Sequence, residues 1–220
     1  MSPRTTFDFE LSVLKQSVTE MGTRVENAYD NMFQALAQKD TEAMETILKC
    51  DRIVNDMERG IEARCLSLIT RQQPVARDLR MVTASLKVVT DIERIGDHIS
   101  DMAELFLRLN MPELSDFSKS LPVMVDETKK MVHDAVDAFV NRRMEDAKQV
   151  IQDDDRVDAL FNEVKEDLIV LLTDKKKLPD DCVDILMITK YLEKIGDHAV
   201  NIGEWEIFQE TGSIEDKIIL

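Results

Sequence analysis

The sequence predicts an all-α protein built as two tandem three-helix, up-down-up bundles related by internal duplication. Three observations carry that expectation. Helix breakers and sheet formers are scarce: the 220 residues include 6 Gly and 5 Pro, and aromatics make up 5%. Sheets need aromatic and β-branched faces and frequent turns. Apolar residues recur at alternating steps of three and four, the signature of one helix face. One acidic segment also occurs twice at a shift of 100 residues, as Glu93-Arg94-Ile95-Gly96-Asp97-His98 and Glu193-Lys194-Ile195-Gly196-Asp197-His198.

Six helices follow in order. The first carries the stripe Leu11, Leu14, Val18, Met21, Val25, Ala28, Met32 and Ala35 and ends near Lys39. Asp40 suits the N-cap of the second, whose inward residues are Val54, Met57, Ile61, Cys65 and Leu68 and which stops at Gln73-Pro74. Proline fits the first turn of the third helix, because the N–H it lacks has no partner there. That helix runs to about Leu109, with Val88, Ile92, Ile95, Ile99, Met102 and Phe106 inward. Asn110-Met111-Pro112 breaks the chain and the pattern restarts, dividing it into repeats 1–111 and 112–220. The fourth helix buries Leu121, Met124, Met131, Ala135 and Ala138, and the fifth Val157, Leu160, Val164, Leu168 and Leu171. Leu178-Pro179 opens the sixth, which buries Ile185, Ile188, Leu192, Ile195, Ala199 and Ile202 and ends before Thr211-Gly212. Short connections make sequential helices antiparallel.

The formal net charge of −16 argues against general nucleic-acid binding and for cations or basic partner surfaces. Cys50, Cys65 and Cys182 are odd in number and without CxxC spacing, as expected in a reducing compartment. Met1 to Glu10 lack a basic stretch followed by an apolar run, and no apolar stretch reaches a membrane span. A cytoplasmic protein without membrane insertion is expected.

The repeated segment is the chemical signal. Residues four apart share a helix face, so Glu93, Asp97 and Asp101 form one carboxylate ladder, and Glu193, Asp197 and Asn201 form the second. The preceding helices add Asp51-x-x-x-Asn55 and Asp154-x-x-x-Asp158, aligned at a shift of 103 or 104. Like charges at this spacing repel, and hard cations want several oxygen ligands. The same acids also read as a solvated face opposite the inward stripe, although solvation does not require the same acid at the same step twice. Gly96 and Gly196 each cost a helix about 1 kcal/mol and imply close approach of a neighbouring backbone or an ion. A carboxylate-bridged metalloenzyme of the Glu-x-x-His kind is a weaker reading, since Ile95, Lys130 and Ile195 stand three residues before the histidines. A purely structural tandem spacer is another, and Pro112 argues against the continuous helix it needs. Arg71, Arg77 and Arg80, and Lys175-Lys176-Lys177, mark basic corners suited to phosphate or an acidic partner loop, or simply to surface ion pairs.

The tandem three-helix pattern, Gln72-Gln73-Pro74-Val75-Ala76-Arg77-Asp78-Leu79-Arg80 and both Glu-x-Ile-Gly-Asp segments together resemble the PhoU family of phosphate-transport regulators, over essentially the whole chain. The resemblance implies a non-enzymatic, cytoplasmic negative regulator of phosphate uptake. It implies action between the ATPase subunit of a phosphate ABC transporter and a sensor histidine kinase, and a homodimer. It further implies multinuclear metal clusters, iron foremost, with zinc, manganese or magnesium as alternatives. By position, the ligands fall on Asp51, Asn55, Glu93, Asp97 and Asp101, and on Asp154, Asp158, Glu193, Asp197 and Asn201. Asn55 and Asn201 put amides where the family has carboxylates, weakening the local field.

Overall fold

A computed structural model describes residues 3–48, 51–174, 177–214 and 217–218, with side chains for 6–48, 52–174 and 177–213. Cys50, Lys175, Lys176 and the Asp51 side chain therefore lie outside the described residues. Among the described residues seven α-helices follow one another: α1 (Pro3–Gln38), α2 (Thr41–Ile47), α3 (Asp51–Gln72), α4 (Ala76–Arg108), α5 (Ser120–Asn141), α6 (Met144–Thr173) and α7 (Pro179–Thr211). A single 3₁₀ turn, Leu114–Asp116, precedes α5, and a two-residue antiparallel pair, Ser213–Ile214 with Lys217–Ile218, follows α7.

The expected second helix is two helices. Asp40 caps α2 as predicted, accepting the Ala43 N–H at 2.9 Å, but α2 ends at Ile47 and α3 starts at Asp51. The predicted stripe begins only at Val54, so it could not report on the stretch before it. Pro179 opens α7 as expected, whereas Pro74 precedes α4, whose N-cap Val75 is extended. The backbone there is unusual: Gln73, just before Pro74, and Ala76, the first residue of α4, adopt left-handed φ values of 47° and 48°. Left-handed backbone costs a non-glycine residue about 1 kcal/mol. Ala76→Gly is therefore expected to raise stability by about 1 kcal/mol, read as a higher urea midpoint at unchanged slope.

The predicted stripes are inward almost throughout; Leu11, Ala28, Met57 and Leu171 are partly buried at its edge. In each half three long helices pack together, α1 with α3 and α4, and α5 with α6 and α7. The halves join through α4 against α7 and α1 against α5, and one continuous apolar core runs through both. Tyr29 crosses this join to donate its hydroxyl to the Val125 carbonyl at 2.8 Å. Burial, with Asp126 and Asp30 adding, pushes that phenol well above its ordinary value. No helix among the described residues is long and apolar enough to cross a membrane.

Candidate metal-binding faces and the seam between the halves

The two glycines mark where each acidic segment meets the preceding helix. A Cβ on Gly96 would meet Val54 of α3 at 3.5 Å; one on Gly196 would meet Val157 of α6 at 3.5 Å and Asp154 Oδ1 at 3.3 Å. A Cβ at 3.5 Å would make ordinary contact, so α3 could approach without Gly96; of the two, only Gly196 has a tight neighbour, the Asp154 carboxylate of the acidic pair beside the motif. Glu93 and Glu193 line the grooves there, with side chains 13% and 14% exposed, rather than lying on the far side of the helix as the inward stripe suggested. The difference arises because α4 and α7 are packed on two flanks, by their own bundle and by each other.

In the second half Asp154, Asp158, Glu193 and Asp197 come together. Burial pushes the Asp154 carboxyl up to about 6, and the charges of Asp158, Asp197 and Glu193 add to it. Its Oδ1 is buried and accepts no hydrogen bond among the described residues. An orphaned carboxylate oxygen among three further carboxylates is costly in a protein and suits a hard cation. Lysines currently balance the charge: Lys190 Nζ lies 2.5 Å from Glu193, and Lys194 pairs with Asp197 and sits 3.4 Å from Glu193. Those contacts raise the Lys194 ammonium above its ordinary value, the hydrogen bond to Asp197 contributing most. In the first half Arg94 plays this part, 3.5 Å from Glu93 and 3.3 Å from Asp97, and Asn55 stands where the second half has Asp158. With the side chains as they stand, no three His, Cys, Asp or Glu among the described residues are gathered at ligand spacing.

Asp101 and Asn201 leave the ladders. A four-residue step over-rotates a helix by about 40°, so two steps carry the third rung roughly 80° around, from the groove towards the other half. There α4 and α7 run antiparallel and the two motif histidines meet, ring centroids 5.6 Å apart. His198 Nδ1 lies 2.8 Å from Asp91 Oδ1, and Asn201 donates to the same oxygen at 3.0 Å. The mirror position is filled differently: Tyr191 stacks on His98 at 5.3 Å and hydrogen-bonds Asp101. Burial and the neighbouring His198 hold the His98 imidazole below its ordinary value. Asp91 and Tyr191, missed in the sequence, stand at the same 100-residue shift as the histidines.

The seam is closed at both ends by arginine. Arg77 binds the Glu210 carboxylate at 2.9 Å, and Arg80 donates to the carbonyls of Gln209 at 3.2 Å and Glu210 at 3.4 Å. Two of the arginines read as a partner corner thus cap the last turn of α7, where unpaired carbonyls favour a cation. Arg71 is exposed beside a shallow cleft with Glu10 and Arg64. Lys177 lies 4.6 Å over the Phe117 ring and 3.7 Å from Asp116. At the other end Arg108 grips Asp184 with two nitrogens, the Nε bond measuring 2.6 Å. Asp184 is buried, so Arg108→Ala strands a charge there. A loss of about 2 kcal/mol is expected by chemical denaturation, with Arg108→Lys recovering only part because the fork is lost.

Comparison with known proteins decides the family. The model described as PhoU domain matches twice, over residues 18–106 and 121–205. The chain belongs to the PhoU family. A Clostridium acetobutylicum protein named as a phosphate-specific transport system accessory protein PhoU homolog is 36% identical, over 97% of this chain and 98% of its own. A homolog of the same name from Streptococcus pneumoniae is 31% identical over 97% and 99%. The crystal structure of PhoU from Pseudomonas aeruginosa superposes with a TM-score of 0.88 at 30% identity, covering 94% of this chain and all of that one. The phosphate transport system regulatory protein PhoU from Streptococcus pneumoniae gives 0.87, also at 30% identity, over 96% and 100%. Both PhoU repeats place their acidic segment on the helix that forms the inter-half seam.

Proposed function

We propose that this chain is a cytoplasmic negative regulator of phosphate uptake and of phosphate-starvation signalling. It acts as a homodimeric adaptor between the ATPase subunit of a phosphate ABC transporter and a sensor histidine kinase, and is a binding protein rather than an enzyme. The observation that carries this reading is the match, over nearly the full length of both chains, to proteins named as phosphate-specific transport accessory proteins. Metal belongs on the acidic faces. Asp154, Asp158, Glu193 and Asp197 would hold it in the second half, and Asn55, Glu93 and Asp97 beside Asp51 in the first. A multinuclear cation, iron foremost, would supply the positive charge that these carboxylates call for. The chain's own part is to position those oxygens and to release Lys190, Lys194 and Arg94 from them. The orphaned Asp154 oxygen supports the second site more strongly than anything supports the first.

Co-purification from native lysate with a phosphate transporter ATPase and a sensor kinase tests the adaptor role; a clean negative for both overturns it. Metal analysis of protein purified without chelator tests the sites. Asp97→Ala with Asp197→Ala is expected to reduce bound metal to the level of a chelator-treated control, and an unchanged metal content would sink the metal reading.

A further inference from the structure

A groove of about 800 Å³ runs along α1 where α2 and the start of α3 pack against it. Its wall is a ladder of four amides, Asn27, Asn31, Gln34 and Gln38, at successive steps of four, three and four. Its floor is apolar, formed by Ala28, Ala35, Ala43, Ile47 and Met57. All four amides are exposed, and none hydrogen-bonds another protein group among the described residues. Gln16, Asn141, Gln149, Asn162, Asn201 and Gln209 each spend the amide on a carboxylate or a carbonyl; Gln72, Gln73, Asn110 and Gln152 are as free as the groove amides but form no row along a groove.

Duplication shows what is peculiar here. α1 and α5 align at a shift of 107, which matches Leu14 with Leu121, Val18 with Val125, Val25 with Val132 and Ala28 with Ala135. At that shift Asn27, Asn31 and Gln38 correspond to Asp134, Ala138 and Glu145, and only Gln34 meets another amide, Asn141, which is spent on Asp137, so the full ladder belongs to the first half alone. The second half has no room for such a groove. There α6 runs unbroken from Met144, buries Ala147 and Val150, and is tied to α5 by Lys130–Asp153 at 2.7 Å and Arg156–Glu127 at 2.9 Å. Thr23 stands at the place of Lys130 and lines the groove instead.

We infer that this groove binds an extended peptide segment of a partner protein, whose main chain is held by Asn27, Asn31, Gln34 and Gln38. A carboxamide carries donors and acceptors on one rigid plane and so matches the alternating N–H and C=O of a backbone. Charged side chains recognise charge; a row of amides pairs with a main chain, and the apolar floor selects among its side chains. The ladder spans about 16 Å along the helix, the length of roughly five extended residues. Among the described residues the lining carries one acid, Glu20, and one base, Arg24. In a chain of net charge −16 such a neutral stretch suits a neutral ligand rather than a metal or a basic helix. The inference stands apart from the metal reading and gives the adaptor role a physical means of holding a partner.

The test pans random linear heptapeptides displayed on phage against the full chain, then measures synthetic copies of enriched sequences by fluorescence polarisation. Asn27→Ala, Asn31→Ala, Gln34→Ala and Gln38→Ala combined retain helix propensity and are expected to weaken binding at least about tenfold, since several hydrogen bonds go together. Methylating alternate backbone nitrogens of the peptide is expected to do the same. Failure to enrich any heptapeptide over a blocked surface overturns the proposal, as does binding that ignores both the variant and the methylation. Loss of self-association by the variant in sedimentation assigns the groove to a second copy of this chain and overturns it too. Metal content of the variant stays at the wild-type level, so failure here is distinguishable from failure of the metal sites.

Discussion

Asp154→Asn is expected to stabilise the metal-free protein while weakening its hold on metal. The wild-type carboxyl is pushed up to about 6 by burial and by Asp158, Asp197 and Glu193, whereas in an unfolded chain it ionises near its ordinary value of 3.8. The unfolded state therefore sheds its proton first, and folding loses stability as pH rises from about 4 to about 6. Below about pH 4 both states are protonated and the penalty vanishes; above about 6 it is complete. Because the group is partly solvated, the gain for Asp154→Asn is set at about 1 kcal/mol above pH 6, shrinking to nothing below 4. Metal reverses the order. A ligand present at 100 times its dissociation constant adds about 2.7 kcal/mol to the form that binds it, and the asparagine variant forfeits much of this. Thermal unfolding with chelator and with added iron or manganese, at pH 4 and pH 7, reads both halves of the expectation. A variant less stable than wild type in chelator at pH 7 would show that Asp154 is satisfied within the protein itself.

Glu206→Gln is expected to give a larger gain, with a different pH signature. Glu206 is fully buried on α7; its Oε2 accepts from Gln209 Nε2 at 2.6 Å and its Oε1 has no hydrogen-bond partner among the described residues. Burial pushes its carboxyl up to about 8, with Glu210 adding and Gln209, Arg142 and Arg77 opposing. The folded protein thus holds this proton at neutral pH while the unfolded chain, near 4.5, has lost it. Stability falls as pH climbs from about 4.5 and the full cost is reached above about 8. Glutamine copies the protonated acid in shape and needs no proton, so the gain is about 2 kcal/mol at pH 7 and fades towards pH 4. Chemical denaturation at pH 4.5, 7 and 8.5 checks it; equal midpoints for the two proteins at all three would mean that Glu206 is ionised and well paired in the native state.

Much of this was legible because it repeats. The helix periods, the break at Pro112 and the two Glu-x-Ile-Gly-Asp segments are local patterns, and the structure places nearly every predicted stripe residue in the core. The division of the second helix was not legible, because residues 41–50 carry no breaker and its stripe was read only from Val54. Glu206 did leave a signal: it falls four residues after Ile202 on the same inward face, and an acid at such a place is a buried acid. Arg77 and Arg80 were seen as cations, but their partners lie on α7, more than 120 residues away in sequence. Periodicity assigns a residue to one face of one helix. It carries no information about which other helix covers that face.

That limit explains the fate of the acidic segment. By itself the sequence determined that the chain is helical and duplicated, and that each half sets a carboxylate ladder beside a second pair of oxygen-bearing side chains. Only the tertiary structure decided that α4 and α7 pack against each other. That contact turns His98, His198, Asp101 and Asn201 into seam residues and leaves Glu93, Asp97, Glu193 and Asp197 at the groove. The physical reason is that a helix over-rotates by about 40° at each four-residue step, so residues on one nominal ladder end in two different environments once both flanks are covered.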